Sequence, residues 1–252
     1  MKIDKIYYIN LDEDHERREL IERRIERHFP GIPSQRIRGI PADAIDRHET
    51  PFAGRLARRL RPIDGVYPLP GVVGCTLAHR SAMQTIHREF GGRDACCLVL
   101  EDDCVFDRSV TAYLDDLSPD KIPSDWRALM HSRGRRSRRD RVNPYFFDMH
   151  RARNRRWNWY WGTHFVIYRT SRVHEILALL DRLEIYVIDK WLRDNVEGLY
   201  SFTHRLHIKQ SNLGGSGTNP DFANDVFEDR SETFGIASYY NKLRAFCAKM
   251  IR

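Results

Sequence analysis

Strand-like apolar segments alternate with helix-like amphipathic segments along the chain, a pattern typical of an α/β protein. Residues 5–11 are short, aromatic and β-branched, and they predict a first strand. Residues 13–29 place apolar side chains at i,i+4 spacing among glutamates and arginines, which predicts an amphipathic surface helix. A second strand is predicted at 36–40, so the chain opens as a βαβ unit.

The next two elements lead to a cluster of acids. Residues 71–90 collect small and apolar side chains on one helical face, which predicts a helix lying close to a sheet or a ligand. The unbroken apolar run 95–100 predicts a strand buried on both faces, as in parallel sheets. Glu101, Asp102 and Asp103 follow this strand directly. Ligands of open α/β sheets bind beyond the carboxyl ends of the strands, so these carboxylates are placed where such folds carry out chemistry.

The rest of the chain predicts further elements and shows no internal repeat. We expect turns and a short helix over 107–125, strands at 126–131, 162–168 and 200–208, helices at 170–183 and 236–251, and loops at 50–70 and 212–219. The pattern therefore predicts a single α/β domain over residues 1–252, with a Rossmann-like, mostly parallel sheet flanked by helices.

Composition narrows the class of protein. Of the 252 residues, 41% are hydrophobic, which is enough for a sizeable core. No apolar run reaches about 18 residues, so no transmembrane helix is expected. The first segment has too few apolar residues and too many acids for a secretory signal. The five cysteines show neither zinc-type spacing nor a disulfide framework, and we expect a cytoplasmic protein.

The positive charge is concentrated in one segment. The net charge is +7, whereas residues 133–156 alone carry +8. This arginine-rich segment has three interpretations: a solvated surface insertion, a contact with anionic membrane lipid or a phosphorylated glycolipid, or nucleic-acid binding through phosphates. Nothing else in the chain is typical of a nucleic-acid module, so nucleic acid is the least favoured partner. The aromatic residues 157 and 159–161 either stack on an acceptor sugar or belong partly to the core.

The acidic run itself predicts a cation. Three adjacent carboxylates repel one another, and burying them without a partner is costly. A hard divalent cation with oxygen ligands would relieve the repulsion. The alternative is an acidic turn that is simply solvated.

Four segments together indicate a family. They are YYINLD at 7–12, GCTLAH at 74–79, LEDDCV at 100–105 and GTHFVIYRTSRVHEIL at 162–177. With these motifs in this order, the chain resembles glycosyltransferase family 25, the lipopolysaccharide and procollagen galactosyltransferase-like enzymes. The first motif departs from the family pattern at Glu13, where an arginine is usual. The resemblance is loose after Asp189, and the arginine-rich segment matches nothing in the pattern.

The resemblance implies a GT-A fold, a nucleotide-sugar donor and inversion at the sugar carbon. Such an enzyme would move a hexose, galactose or glucose, from a UDP-sugar to a hydroxyl of a glycan or glycolipid, assisted by Mn²⁺ or Mg²⁺. The acidic run would then do the work of an Asp-X-Asp motif, with Asp103 as the direct metal ligand and Glu101 or Asp102 beside it. His207 is a candidate for a further metal ligand.

The resemblance also implies a set of donor contacts. Arg17 and Arg18 would reach the diphosphate or, alternatively, form ion pairs on the helix surface. The helix start at Gly74 would lie against the donor, and His79 is either a donor contact or a structural histidine. The full set is Asn10, Leu11, Asp12, Arg17, Arg18, Gly74, His79, Glu101 and Asp102.

Inverting transfer needs a general base near the acceptor hydroxyl. Asp189 is the candidate, and its alternative role is a plain helix cap. His204 and His207 both fall in the strand predicted at 200–208, and one of them could be a further metal ligand. Contacts to the diphosphate or the acceptor are assigned to Gln210, Ser211 and Asn212.

Two other classes of function remain open. A non-catalytic nucleotide- or anion-binding protein would keep the sheet and use the arginine-rich segment to hold its partner. A nucleotidyltransferase would also use metal and carboxylates, but it would release pyrophosphate instead of a nucleoside diphosphate.

Overall fold

The computed structural model describes residues 1–46, 70–131, 138–151, 162–182, 187–203 and 206–210. The strands in this part of the chain are β1 (Lys5–Asn10), β2 (Ser34–Arg38), β3 (Cys96–Glu101), β4 (Cys104–Phe106), β5 (Ala128–Met130), β6 (Phe146–Asp148), β7 (Phe165–Arg169), β8 (Leu199–Phe202) and β9 (Ile208–Gln210). The α-helices are α1 (His15–His28), α2 (Ala42–Asp46), α3 (Pro70–Phe90), α4 (Arg108–Asp115), α5 (Val173–Arg182) and α6 (Ile188–Asn195). Short 3₁₀ turns cover Pro119–Lys121, Arg138–Asp140 and Thr170–Arg172.

Among the described residues, seven strands form the main sheet in the order β2-β1-β3-β7-β5-β8-β6. The pairing is parallel over β2, β1 and β3, antiparallel on both sides of β7, and mixed at the far edge. Strands β4 and β9 form a separate antiparallel pair. The predicted α/β class, with a Rossmann-like sheet flanked by helices, is confirmed, and the first half is the parallel part of a mixed sheet.

The core lies on both faces of this sheet. On β3, Cys97 and Val99 pack into one apolar cluster, whereas Leu98 and Leu100 pack into the other. Helices α3, α5 and α6 cover the first face and helices α1 and α4 cover the second. Every one of these four side chains is fully buried, which confirms that the apolar run ahead of Glu101 is a strand buried on both faces.

Most predicted elements are present with shifted ends. The strand predicted at 200–208 is two strands, because β8 joins the main sheet while β9 turns away to pair with β4. The predicted loops at 50–70 (apart from Pro70) and 212–219 and the predicted helix at 236–251 lie outside the described residues. Within the described part of the chain, none of the helices is both long and apolar enough to cross a bilayer.

Candidate active site at the ends of strands β1 and β3

The three carboxylates of the acidic run face three different partners. Glu101 ends β3 and faces helix α3, where His79 Nε2 lies 3.1 Å from Glu101 Oε1. Asp102 faces β1 and accepts a hydrogen bond of 2.8 Å from Asn10 Nδ2. Asp103 Oδ2 accepts from Gln210 Nε2 of β9 at 3.3 Å. The protein therefore relieves much of the mutual repulsion by turning each carboxylate to a different donor, which the argument from sequence did not foresee.

The end of β1 supports Asp102. Strands β1 and β3 are parallel neighbours, with Ile9 opposite Glu101, so their carboxyl ends meet. Asn10 is only 2% exposed and also accepts a hydrogen bond from Arg36 Nε at 3.1 Å. Burial raises the pKa of Asp102, and the Asn10 hydrogen bond and the nearby Arg17 charge offset part of that effect.

The two adjacent arginines of α1 take different roles. Arg17 Nη1 lies 3.5 Å from Asp102 Oδ1, at the meeting point of the two strand ends. Arg18 Nε pairs with Glu22 one turn along the helix at 3.0 Å, and Glu22 also accepts from the Tyr8 hydroxyl. Successive helical residues point about 100° apart, so both side chains cannot reach the same site. Of its two predicted roles, a diphosphate contact or a helix-surface ion pair, Arg18 forms the ion pair.

Asp12 is held by two arginines that sequence reasoning missed. Its carboxylate accepts from Arg36 and, at 2.7 Å, from Arg38 Nε, both on β2. The hydrogen bond from Arg36 is the main cause that lowers the pKa of Asp12 below its ordinary value. The signal was present in the sequence, because residues 36 and 38 of a strand point to the same face. Leu11 lies against Gly39, where an added Cβ would stand 2.9 Å from Leu11 Cδ2.

Glu101 is the centre of a buried polar cluster on the α3 side. Its Oε1 also accepts from Thr163 Oγ1 at 2.7 Å and lies 4.0 Å from Cys75 Sγ. Burial would raise the pKa of Glu101, but the His79 hydrogen bond and the neighbouring imidazoles outweigh it, and the pKa lies below its ordinary value. His79 is fully buried, so its contact with Glu101 ties the middle of α3 to the end of β3.

Asp189 stands in the first turn of α6 and is only 6% exposed. Its Oδ1 accepts from the backbone N–H of Lys190 at 2.7 Å and its Oδ2 from that of Gly162 at 3.1 Å. Burial raises the pKa of Asp189, and these two backbone donors offset only part of the effect. The N-cap of α6 is Val187, so Asp189 is not the plain helix cap that was its alternative. A carboxyl with a raised pKa is a stronger base once ionised, which is compatible with a role as base.

Glycine at position 162 makes the contact with Asp189 possible. Gly162 has φ +111°, and a Cβ there would come within 2.3 Å of the ring of His164. Gly74 has a packing role of a similar kind. A Cβ at Gly74 would stand 2.2 Å from the backbone oxygen of Ile40, so the first turns of α3 can approach the segment after β2 only with glycine there.

The charges of three carboxylates act on the thiol of Cys75. Burial and the negative charges of Glu101, Asp189 and Asp103 together raise the pKa of Cys75 well above its ordinary value. These carboxylates therefore lie within electrostatic reach of a single point between α3, β3 and α6. Carboxylate oxygens are the donors that Mn²⁺ and Mg²⁺ prefer, so Glu101 and Asp103 have the chemistry for a hard divalent cation, although each is turned to a different partner here.

His207 is not brought together with the acidic run. The antiparallel register pairs Cys104 with Gln210 and Phe106 with Ile208, which places His207 opposite Asp107. His207 Nδ1 lies 2.9 Å from Asp107 Oδ2. Asp103 is four residues away along this ladder, about 13 Å at the rise of an extended strand.

Several predicted residues lie outside the described part of the chain. They are His204, Ser211, Asn212 and the aromatic residues 157 and 159–161. Of the arginine-rich segment, residues 138–151 are described. There Arg138, Arg139 and Arg141 are exposed, and Arg151 pairs with Asp148 at 3.0 Å.

Comparisons with known proteins gave a family match and a structural match, each over part of the chain. Residues 3–156 match the family described as glycosyltransferase family 25 (LPS biosynthesis protein). No curated protein gave a significant match. One similar solved structure is that of the galactosyltransferase LgtC in complex with donor and acceptor sugar analogues; it is 10% identical with a TM-score of 0.42, and the match covers 78% of this chain and 72% of that chain.

The family match contains the part of the site that lies in the first half of the chain, whereas Gly162, Thr163 and Asp189 lie outside it. It includes the motifs at 7–12, 74–79 and 100–105, which supply Asn10, His79 and the acidic run. It also covers more than half of the 252 residues. This chain therefore belongs to glycosyltransferase family 25.

Proposed function

We propose that this protein is an inverting hexosyltransferase that moves galactose or glucose from a UDP-sugar to a hydroxyl of a glycan or glycolipid acceptor, assisted by Mn²⁺ or Mg²⁺. The observation that supports this most is the meeting of an arginine, an amide and an acidic run with buried Asp102 at its centre, at the adjoining ends of β1 and β3. Ligands of open α/β sheets bind at such a point.

The donor would lie across the end of β1. Asn10, Leu11 and Asp12 would face the nucleoside, and Arg17 offers a guanidinium for the diphosphate. Asp102 stands next to Arg17 and fixes its position through their 3.5 Å contact. The first half of α3 would form the wall against which the sugar nucleotide packs, with Gly74 setting its approach to the segment after β2 and His79 tying it to Glu101.

Asp103 and Glu101 are the residues that would hold the divalent cation. When bound, the cation would neutralise charge that develops on the departing diphosphate. Asp102 would contribute indirectly, because its carboxylate is engaged by Asn10 and Arg17. His207 would take part only if β9 moved along β4, since its described partner is Asp107.

Asp189 would act as the general base. Its raised pKa suits removal of a proton from the acceptor hydroxyl as that oxygen attacks the anomeric carbon. The new glycosidic bond forms while the bond from the anomeric carbon to the UDP oxygen breaks, the proton passes to Asp189, and the sugar carbon inverts. The backbone N–H groups of Gly162 and Lys190 would hold the carboxylate in place through this step.

The arginine-rich segment would contact the acceptor. We propose that residues 133–156 are an insertion in a single domain over 1–252 and that they contact anionic groups of a glycolipid acceptor or of the membrane that carries it. Exposed arginines at 138, 139 and 141 support this, because guanidinium groups pair strongly with phosphates. Such a contact should weaken steeply as salt rises.

The direct test is UDP release from a panel of UDP-hexoses with Mn²⁺, in the presence of simple galactoside and glucoside acceptors. We expect release from one UDP-hexose, lost on chelation and reduced at least a hundredfold in Asp103→Asn and Asp189→Asn. Asp120→Asn, an exposed carboxylate in the turn Pro119–Lys121, is the matched control and should behave as wild type. Absence of UDP release from every donor would contradict the proposal, and release of pyrophosphate would indicate a nucleotidyltransferase.

A further inference from the structure

Cys75, His79 and Glu101 bring a sulfur, a nitrogen and an oxygen to one point. The three donor atoms all lie within 4.8 Å of one another. Two of them stand four residues apart on α3, so they share one face of the helix, and that face is turned to the end of β3. We propose that these three side chains bind one zinc ion through Oε1 of Glu101, at a site that shares the Glu101 carboxylate with the oxygen-ligated cation proposed for sugar transfer but differs from it in its sulfur and nitrogen donors.

The distances are close to those of a tetrahedral zinc site. Typical bond lengths of about 2.3 Å to sulfur and about 2.05 Å to nitrogen and oxygen place a nitrogen and an oxygen donor about 3.3 Å apart, and a sulfur and an oxygen donor about 3.5 Å apart. The structure has 3.1 Å between His79 Nε2 and Glu101 Oε1, and 4.0 Å between Cys75 Sγ and the same oxygen. These two separations are within about 0.5 Å of the zinc values. The third, between Cys75 Sγ and the His79 ring nitrogen, is at most 4.8 Å and would have to close to about 3.5 Å.

The type of donor selects the metal. Thiolate and imidazole are the softer ligands that zinc prefers, whereas Mn²⁺ and Mg²⁺ prefer oxygen. Three protein ligands leave the fourth zinc position for water or a bound group. Zinc here would link α3 to the end of β3.

The surroundings suit a bound ion. Thr163 Oγ1 donates to Glu101 Oε1 at 2.7 Å and so fixes the orientation of the carboxylate from outside the donor set. His79 is fully buried and held in place by the core, while Cys75 is partly exposed and leaves a route for the ion to enter. The alternative is that His79 and Glu101 form only a hydrogen bond and that Cys75 binds no metal.

Peptide mapping of the wild-type full chain tests this without any substitution. The metal-stripped protein is treated with iodoacetamide with and without one equivalent of Zn²⁺, and alkylation of Cys75 and Cys96 is followed by mass spectrometry. We expect zinc to slow alkylation of Cys75 at least tenfold and to leave Cys96, which lies at the start of β3, unchanged. Equal alkylation of Cys75 in both conditions would overturn the proposal.

Cobalt substitution gives a second readout. Co²⁺ added to the stripped protein should produce the sulfur-to-cobalt charge-transfer band of thiolate ligation, at one equivalent per chain. The band should be lost in Cys75→Ser and kept in Cys96→Ala. Persistence of the full band in Cys75→Ser would assign the thiolate to another cysteine and refute the site.

Neither measurement uses sugar transfer, so the two proposals fail separately. Zinc protection without UDP-hexose turnover would leave the metal site standing. Turnover without zinc protection would remove the metal site and leave the transferase.

Discussion

The side-chain amide of Asn10 donates a hydrogen bond of 2.8 Å to the carboxylate of Asp102, and this contact joins the ends of β1 and β3. Both residues are at least nine-tenths buried, so the bond is made in a setting where water cannot replace it. The contact links the first motif of the chain to the acidic run. It also positions Asp102 next to Arg17, where we expect the diphosphate of the donor to bind.

Removing this donor should destabilise the protein in a pH-dependent way. Asn10→Ala leaves a buried carboxylate with one hydrogen bond fewer, and we expect a loss of about 1–3 kcal/mol in the free energy of unfolding at pH 7. Burial already raises the folded-state pKa of Asp102, so ionisation opposes folding as pH rises through that value. The loss should therefore shrink at acid pH, where the carboxyl is protonated in both states.

Urea unfolding at several pH values measures the effect of Asn10→Ala. Asn10→Asp is the matched variant, because it keeps the side-chain volume and places a second carboxylate beside Asp102. Asn10→Asp should lower the free energy of unfolding at pH 7 by at least as much as Asn10→Ala does. More of this loss should disappear at acid pH, where the carboxyls are protonated. A destabilisation that is the same at every pH would show that the amide acts through packing alone.

Arg17 and Arg18 should differ in donor binding. Arg17→Ala removes the cation near Asp102 and should weaken UDP binding at least tenfold, a typical value for one charged hydrogen bond. Arg18→Ala should change UDP binding by less than twofold, since Arg18 is paired with Glu22 on the helix surface. Isothermal titration calorimetry with UDP and Mn²⁺ distinguishes the two, and equal losses would contradict the roles given to them.

The pH dependence of transfer should follow Asp189. A base works only when deprotonated, so kcat/KM should rise with pH through the pKa of Asp189, which lies above the ordinary aspartate value. Asp189→Asn should lower kcat by about 10²–10⁴-fold and remove this limb of the profile. Asp189→Glu should restore part of the rate. A profile unchanged in Asp189→Asn would assign the base to another group.

Crowding at Gly74 should make substitution costly. In Gly74→Ala the new Cβ would stand 2.2 Å from a backbone oxygen of Ile40, so the helix or the segment after β2 must shift. We expect a loss of about 2–3 kcal/mol in the free energy of unfolding, in the upper part of the range for overpacked positions, because the overlap is with a backbone atom. At Gly91 the added carbon meets nothing within 4 Å, although φ is +54°. Gly91→Ala should therefore lower the free energy of unfolding by about 1 kcal/mol, because alanine disfavours a left-handed conformation. Equal shifts in melting temperature for the two variants would contradict the crowding at Gly74.

Sequence patterns predicted the elements that rest on long, regular signals. The unbroken apolar run before Glu101 and the periodic small-residue face of α3 both occupy the predicted places. Strands β4 and β6 have three residues each, too short for any periodicity. β7 pairs antiparallel with β3. The direction of a strand depends on how the chain returns to the sheet, and a local sequence pattern does not predict it.

The site was predictable to a similar extent. The carboxyl ends of β1 and β3 had to meet once both strands were placed in a parallel pair, so Asn10 and Asp102 could be put together in advance. The separate directions of the three carboxylates could not be predicted in advance. They depend on the conformation of the turn after β3 and on which hydrogen-bond donors lie next to each side chain. The position of His207 depends on the register of β4 with β9, which the sequence does not determine.

The most direct test of the central claim is thermal unfolding of the protein with UDP, GDP, CMP and ADP, each with and without Mn²⁺. The account predicts that UDP with Mn²⁺ raises the melting temperature by more than the sum of UDP alone and Mn²⁺ alone, because both would bind one site at the ends of β1 and β3. The other nucleotides should give little or no such synergy. No stabilisation by any nucleotide, with or without metal, would contradict the account and would leave the arginine-rich segment as the leading candidate for a partner-binding site.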